Sequence, residues 1–569
     1  MKNPLCCVLC FFASALVAGA QSASAPAAAP APVAFPVTIR VDASKPLGEL
    51  HPIWRFFGAD EPNYATMKDG RKLIGELGEL KPEGVYFRTH NLLNTGDGTP
   101  AFKWGSTNAY TEDPAGRPIY NWTIVDHIFD TYRARHVRPY AQIGFMPEAL
   151  SVHPEPYQHE WRPGFRYDLI GTGWSYPPKD YTKWAELVYQ WVKHCVERYG
   201  RAEVEQWYWE VWNEANGASY WHASPEDFYK LHDYAVDAVR RALPTARVGG
   251  PDSAGAGGKF TEGFLQHVAH GKNYATGQVG TPTDFLSFHA KGSPTFVDGH
   301  VRMGIAAQLR TVDAGFGMIA AVPELKNKPI VIGESDPDGC AACQGPQLGY
   351  RSGTMYSSYT AAVFARKHLL AAKHGVNLEG ALTWAFEFED QSYFPGFRAL
   401  GSNGLDLPVL NVFRMFSQMA GQRVESTSSA EIPLAEIERD GVRRQADVGA
   451  LASFDGRRLS VMVWHYHDDD VPGPDAAVEF NLAGWGGASA VTLAHYRVDE
   501  GHSNSYSAWK RLGSPLAPTE KQYAELEQAG KLAPLAAPER IALAQGAATV
   551  KFTLPRQGVS LLVFEAADK

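Results

Sequence analysis

Short apolar runs alternate with longer amphipathic stretches along most of the chain, and turn-forming residues separate them. Short runs rich in aromatic and β-branched residues read as buried strands. Apolar positions recurring every three or four residues read as helices. The first strand is Trp54–Gly58, followed by a helix over Met67–Leu80. Strand Gly84–Thr89 precedes helix Ile124–Arg135, strand Pro139–Phe145 precedes helix Lys179–Tyr199, and strand Gln206–Trp212 precedes helix Pro225–Leu243. Ser224 is the expected N-cap of that last helix, with Pro225 at its first position. The alternation continues through strand Arg247–Gly250, helix Thr261–His270, strand Asp284–His289, helix Val301–Val322, strand Pro329–Glu334, helix Thr354–Lys373 and strand Glu379–Trp384. Eight strands alternating with helices predict an α/β chain whose residues 51–421 form a closed parallel (β/α)8 TIM barrel.

From about Gln422 the texture changes. Ala446–Phe454, Leu459–His467, Ala476–Leu482, Ala490–Val498, Ala548–Leu554 and Val559–Glu565 are short strand-like runs broken by Gly, Asp and Pro. They predict a C-terminal β-sandwich over residues 422–569, with Leu512–Leu535 as loop plus one short helix. Phe35–Val41 also alternates, and residues 37–50 are expected to join that sandwich as a strand. Residues 1–20 carry a Lys, an apolar run and Ala18-Gly-Ala20, the pattern of a signal peptide. Residues 21–36, rich in Ala and Pro, read as a disordered linker. The expectation is a secreted or periplasmic protein with no later membrane span.

The net charge of −9 is well mixed along the chain, which speaks against nucleic acid or an anionic membrane as partner. Of the cysteines beyond the leader, Cys195 reads as a buried thiol, and Cys340-Ala-Ala-Cys343 suits a local disulfide in an oxidising compartment. A zinc site would need two further ligands that no nearby Cys or His pair supplies, so no metal or other cofactor is expected.

Two acids share one setting. Glu214 follows the fourth strand in W-N-E-A-N-G, and Glu334 ends the seventh in P-I-V-I-G-E. Strand carboxyl ends are where parallel barrels collect catalytic groups. Two carboxylates across one barrel mouth are the equipment for glycosidic bond cleavage: one protonates the leaving oxygen, the other attacks the anomeric carbon or activates water. Glu214 is read as the acid/base, with Trp209, Trp212, Tyr220 and Trp221 expected to raise its pKa by desolvation. Glu334 is read as the nucleophile, kept ionised by donors such as His289 or Arg88. Trp104, Tyr110 and Tyr120, in the long loop Asn91–Asn121, are expected at the rim of the site. Trp161 and Trp174 lie in a second long loop, Glu148–Pro178.

W-N-E on the fourth strand and the Glu closing the seventh, 334 − 214 = 120 positions on, resemble glycoside hydrolase family 39. H-P-I-W-R-F-F-G, I-G-F-M-P, F-H-A-K-G and H-S-N-S-Y-S-A-W-K-R-L-G-S-P extend the resemblance over nearly all of the chain after the leader. The resemblance implies a metal-free, retaining, exo-acting glycosidase acting on an oligosaccharide, with β-xylosidases and α-L-iduronidases as known members. It implies Glu214 as acid/base, Glu334 as nucleophile, and sugar contacts from His90, Asn213, His289 and Trp384. The favoured expectation is a β-D-xylosidase releasing xylose from xylo-oligosaccharides by double displacement. Two features depart toward the iduronidase branch. Lys291 stands where the xylosidase branch has an aromatic residue, and G-E-S-D-P-D-G and S-Y-F-P-G-F-R are similar to the iduronidases. A uronidase using Lys291 and Arg398 to bind a sugar carboxylate is therefore the alternative. Salt bridges from both cations to Glu387, Glu389 or Asp390 would leave no charge for such a sugar. A barrel that binds carbohydrate without catalysis is a third reading.

Overall fold

The computed structural model describes residues 33–101, 104–158, 165–166, 169–385 and 388–566. The expected leader, most of the linker, Trp161 and Glu387 lie outside the described residues.

Nine parallel segments form a nearly closed barrel. Their hydrogen-bonded order is Asn377–Ala381, Pro329–Glu334, Phe285–His289, Arg247–Ser253, Tyr208–Val211, Val137–Ile143, Val85–Thr89, Phe56–Ala59 and Thr383–Trp384. The two end segments of this order are neighbours in sequence, separated by Leu382 alone. The barrel interior is filled by Phe56, Tyr86, Tyr140, Tyr208, Phe285, Val331 and Leu382, so the ring is a packed core and not a pore. Gly58, Gly249 and Gly380 stand where a Cβ would collide with Trp384, Phe285 and Phe56, respectively.

Helices Lys68–Leu80, Thr123–Ala134, Tyr181–Tyr199, Pro225–Ala242, Gly258–His270, Ile305–Ala320 and Thr354–His374 lie between successive strands. Ser224 caps its helix as the sequence suggests, accepting from Asp227 N while the Asp227 carboxylate accepts from Ser224 N. One helix start differs from expectation. Residues His300–Arg302 pair with Thr295–Val297 as a hairpin, and the helix begins only at Ile305. Arg302 is held by Asp469, and Met303 N donates to Asp468 O, so contacts from the loop after strand Arg458–Tyr466 keep this segment extended.

The C-terminal strands and Phe35–Glu49 form one continuous nine-stranded sheet. Phe35–Asp42 pairs in parallel with Ala476–Ala483, while Ile39–Glu49 runs antiparallel to Gln422–Ser428 with two register shifts. Such irregularities bend a strand. The sheet curls far enough that Phe480 and Phe564, on strands distant in its order, stack at 5.5 Å. Val37, Ile39, Val461, Val463, Phe480 and Leu562 share the core it encloses. The two separate sheets expected of a sandwich are thus one curved sheet. Gln422–Ser428 and Glu539–Ala542 are strands the apolar pattern misses, because half or more of their residues are not buried. The one short helix expected within Leu512–Leu535 is Glu520–Gly530, and a further helix, Ser505–Arg511, precedes that stretch. Among the described residues no helix is long and apolar enough to cross a membrane.

Candidate active site

The carboxyl ends of the strands converge on a buried network of charge. Tyr208–Val211 runs through Trp212 and Asn213 to Glu214. Trp212 and Glu214 both have left-handed backbones, φ 70° and 47°. Such conformations cost a non-glycine residue about 1–3 kcal/mol and persist where surrounding contacts over-determine them. Here Glu214 N donates to Asp252 O at 2.9 Å, and Trp212 Nε1 donates to Tyr220 O at 3.0 Å. The turn swings the Glu214 side chain across the barrel mouth toward Glu334, the last residue of Pro329–Glu334. One oxygen of each carboxylate and a His289 ring nitrogen lie within 4.8 Å of one another.

Lys291 sits between the two acids. Its ammonium is 2.5 Å from Glu334 Oε2 and 3.2 Å from Glu214 Oε1, with its side chain 17% exposed. Glu214, His289 and Glu334 have the spacing to ligate a cation. The Lys291 ammonium already bridges both carboxylates, so a divalent ion there would have to displace it against like-charge repulsion.

Arg88, at the end of Val85–Thr89, is wholly buried. It binds Glu210 Oε2 at 2.5 Å, donates to Asn213 Oδ1 at 3.0 Å, pairs with Asp252 and lies 3.7 Å from Glu334 Oε1. Asn213 Nδ2 is buried without a hydrogen-bond partner among the described residues. His90 is anchored by Asp60 at 2.7 Å, lies 3.7 Å from Glu334 Oε1 and packs 5.1 Å from the Trp384 ring. His289 bridges Glu214 and Asp252, at 2.6 and 2.8 Å.

Burial pushes the Glu334 carboxyl up, but His289, Lys291, His90 and Arg88 together outweigh it and hold it far below the usual carboxylate range. Glu214 corrects an expectation. Burial does raise it, yet Lys291 and His289 overcome that and hold it at about 2. The aromatic residues are present, but two cations within 3.2 Å decide the sign. Burial lowers His289, and Asp252, Glu334 and Glu214 more than reverse it, to about 10.

Of the residues singled out in the sequence, His90, Asn213, Glu214, His289, Lys291, Glu334 and Trp384 come together. Arg398 forms no ion pair with Glu214 or Glu334. Its side chain is 1% exposed and committed to Asp336 and Asp338, not to Glu389 or Asp390. Glu389 instead accepts from Asp69 N and Gly70 N at the start of helix Lys68–Leu80. Trp104 joins the aromatic wall behind the site: its ring is 6.0 Å from Trp174, which is 4.6 Å from Phe145, itself 5.8 Å from His90. Tyr110 and Tyr120 face elsewhere; Tyr110 binds Glu112, which also accepts from Lys183 on the outer helix Tyr181–Tyr199. Asp252 and Glu210 are the network members the sequence reading missed. Asp252 is the last residue but one of Arg247–Ser253, so a search of strand ends for acids would have found it. The expected strand stopped at Gly250, short of Asp252. Cys340 and Cys343 form a disulfide, and Cys195 is a buried free thiol.

A parallel barrel with two carboxylates a sugar ring apart at its carboxyl-terminal mouth has the architecture of a glycoside hydrolase. The chain belongs to the glycosyl hydrolases family 39, whose profile matches residues 37–548. It is 26% identical over 469 residues to a β-xylosidase of Geobacillus stearothermophilus, covering 78% of this chain and 79% of that one. It is 25% identical over 559 residues to the α-L-iduronidase of Homo sapiens, covering 92% and 77%. Among solved structures, a family 39 enzyme from Xanthomonas axonopodis pv. citri superposes with a TM-score of 0.73 at 22% identity, covering 94% of this chain and 98% of that one.

Proposed function

We propose that the chain is a retaining exo-β-D-xylosidase, with Glu334 as nucleophile and Glu214 as acid/base, working at the mouth of an eightfold (β/α) barrel whose last strand is interrupted at Leu382. The observation that carries this reading is the closeness of the two carboxylates, within 4.8 Å oxygen to oxygen. Inverting enzymes need about 6.5–9.5 Å to seat a water between their acids, and retaining ones about 5–5.5 Å. In the first step Glu334 attacks the anomeric carbon while Glu214 gives a proton to the leaving oxygen. In the second, Glu214 takes a proton from water as water displaces Glu334. Asn213 Nδ2, unpartnered and beside Glu214, suits the sugar 2-hydroxyl, and His90 and Trp384 flank the nucleophile's side of the ring. The β-xylosidase relatives favour xylose as the glycone.

A uronide-cleaving reading rests on Lys291 at the site, on the iduronidase-like motifs and on the iduronidase relatives. Its second cation, Arg398, is occupied by Asp336 and Asp338, which weakens it. We infer secretion or export to the periplasm from the leader pattern, testable by locating the mature N-terminus in culture and periplasmic fractions.

A panel of nitrophenyl β-D-xyloside, α-L-arabinoside, β-D-glucoside and an iduronide tests the glycone. The xyloside is expected to be fastest, and Glu334→Ala to abolish its turnover while the melting curve stays cooperative. Turnover surviving in Glu334→Ala rejects the nucleophile. A Lys291→Ala variant that damages only iduronide turnover establishes the uronidase instead.

A further inference from the structure

His289 is enclosed by acids. Its Nδ1 lies 2.6 Å from Glu214 Oε1, and its Nε2 lies 2.8 Å from Asp252 Oδ2 and 3.8 Å from Glu334 Oε1. His289 and Asp252 are both 0% exposed. An ionised carboxylate accepts hydrogen bonds and cannot donate them. One contact from each ring nitrogen to a carboxylate therefore needs two protons shared among three groups.

Those two protons are not equivalent. Asp252 also carries the guanidinium of Arg88, which cannot be deprotonated and is locked by Glu210 and Asn213. Asp252 thus remains an anion throughout and pins the Nε2 proton. Glu214 has a weaker hold on its second cation, because Lys291 is shared with Glu334 and lies nearer to it, 2.5 against 3.2 Å. The Nδ1 proton is the mobile one.

We propose that Asp252, His289 and Glu214 form a relay: Asp252 orients the imidazole through Nε2, and His289 stores on Nδ1 the proton that Glu214 hands to the leaving oxygen. The relay rests on Glu214 being the acid/base. At rest the pair holds its proton on the ring, in line with the raised imidazole and the depressed carboxyl. As substrate binds, the Nδ1–H bond breaks and an O–H bond forms at Glu214 Oε1. The neutral carboxyl turns about its Cγ–Cδ bond and delivers that proton to the glycosidic oxygen. The C–O bond breaks with its electron pair going to that oxygen. His289 is then a neutral imidazole protonated on Nε2, still bound to Asp252. In the second step Glu214 takes the proton of the attacking water and returns it to Nδ1. Charges and protons balance over the cycle, and no other reagent is needed. Asp252 is a positioning residue in this scheme, the part that an aspartate plays behind a catalytic histidine in a hydrolase triad. The charged groups facing the ring are Glu214, Asp252, Glu334 and Lys291, with Arg88 behind Asp252.

Leaving-group dependence tests it. Dinitrophenolate departs without a proton, and phenolate gains from one. Wild type, His289→Gln and Asp252→Asn are compared on 2,4-dinitrophenyl and phenyl glycosides of the sugar that wild type prefers. His289→Gln is expected to lose about 10²-fold more kcat/KM on the phenyl substrate than on the dinitrophenyl one, the scale of general acid catalysis. Asp252→Asn removes the anion that favours the protonated pair, so the alkaline limb of kcat/KM is expected to move to lower pH by about one unit or more. Equal losses on both substrates, with the alkaline limb unmoved, overturn the relay and leave both residues with a structural role. If His289→Gln does not fold, the pH limb of Asp252→Asn decides alone. Wild type that cleaves no glycoside of the panel defeats the glycosidase reading itself. An active wild type with no split defeats only the relay.

Discussion

Lys367 is the most exposed to contradiction of the buried charges away from the site. It lies on helix Thr354–His374, wholly buried, with its ammonium 3.8 Å from the Phe364 ring centroid and no hydrogen-bond partner among the described residues. Burial, opposed only by the field of Asp336, brings its pKa down to about 7 from the ordinary 10.5. Between about pH 7 and 10.5 the unfolded chain binds this proton and the folded chain does not, so stability rises with pH there. Below about pH 7 both states are protonated and the full cost of the buried charge is paid. Lys367→Met is expected to stabilise the protein by the order of 1–3 kcal/mol at pH 6 and to flatten the dependence of Tm on pH between 7 and 10. Thermal melts across that range check it; a lower Tm at pH 6 would mean the ammonium has a partner it needs. The same scale shows where reading residues along the chain stops. Glu214 and Glu334 were legible because an acid after a buried strand is an unusual local pattern. The sign of the Glu214 shift was not, because Lys291 and His289 come from a different strand end.

The segment that follows Glu334 shows how an element is held in register. Arg351 donates to the carbonyls of Cys340, Ala341, Cys343 and Gly396 and pairs with Asp338 at 2.8 Å. Asp338 also meets Arg398, which pairs with Asp336, two residues from Glu334. Arg351→Met strips the Cys343 and Gly396 carbonyls of this donor and takes one donor each from Cys340 O, Ala341 O and Asp338, which keep others. Breaking a buried pair from one side costs about 3–5 kcal/mol. The variant is expected to unfold at correspondingly lower denaturant and to lose kcat through a misplaced Glu334, while Lys at this position restores little because it offers no planar fork. Urea titration with parallel kinetics reads both. Helix Pro225–Ala242 gives a smaller, cleaner case. Ser224→Ala removes one capping bond and is expected to cost about 1 kcal/mol with activity unchanged. A loss of several kcal/mol there would mean that the cap serves the turn carrying Glu214. Elements with strong periodicity or a sharp start signal were visible in the sequence. The short hairpin at Thr295–Arg302 was not, because its extended form depends on Asp469 and Asp468 from a segment more than 160 positions on.

At the scale of the whole molecule, the barrel and the curved sheet share a core. Arg366, on the helix Thr354–His374, binds both oxygens of Asp447 at 2.8 and 2.7 Å, and Trp464 Nε1 donates to the same carboxylate at 2.7 Å. Gln557 accepts from Ser358 at 2.6 Å beside them. Asp447→Ala strands a buried guanidinium and is expected to cost about 3–5 kcal/mol. Because Leu451, Met462 and Trp464 of the sheet pack into the barrel's own core, the loss is expected to lower a single cooperative transition. A second calorimetric transition in that variant would instead mean that the two parts melt independently. Strand texture made the existence of the β region legible. That its strands form one sheet, bent where Phe35–Glu49 changes partner, was decided by pairings hundreds of positions apart, which local pattern does not carry.

By itself the sequence determined the alternation that builds the barrel, the two strand ends that carry Glu214 and Glu334, and a membership in one family that spans residues 37–548. Periodicity and local composition are properties of neighbouring residues, so they survive in a linear reading. Only the tertiary structure decided that Lys291 bridges the two acids, that Arg398 pairs with Asp336 and Asp338, and that Asp252 binds His289. Those outcomes depend on distances between side chains from different strands. Charge–charge interactions change steeply over a few ångströms in a buried site, and only the folded chain sets those distances.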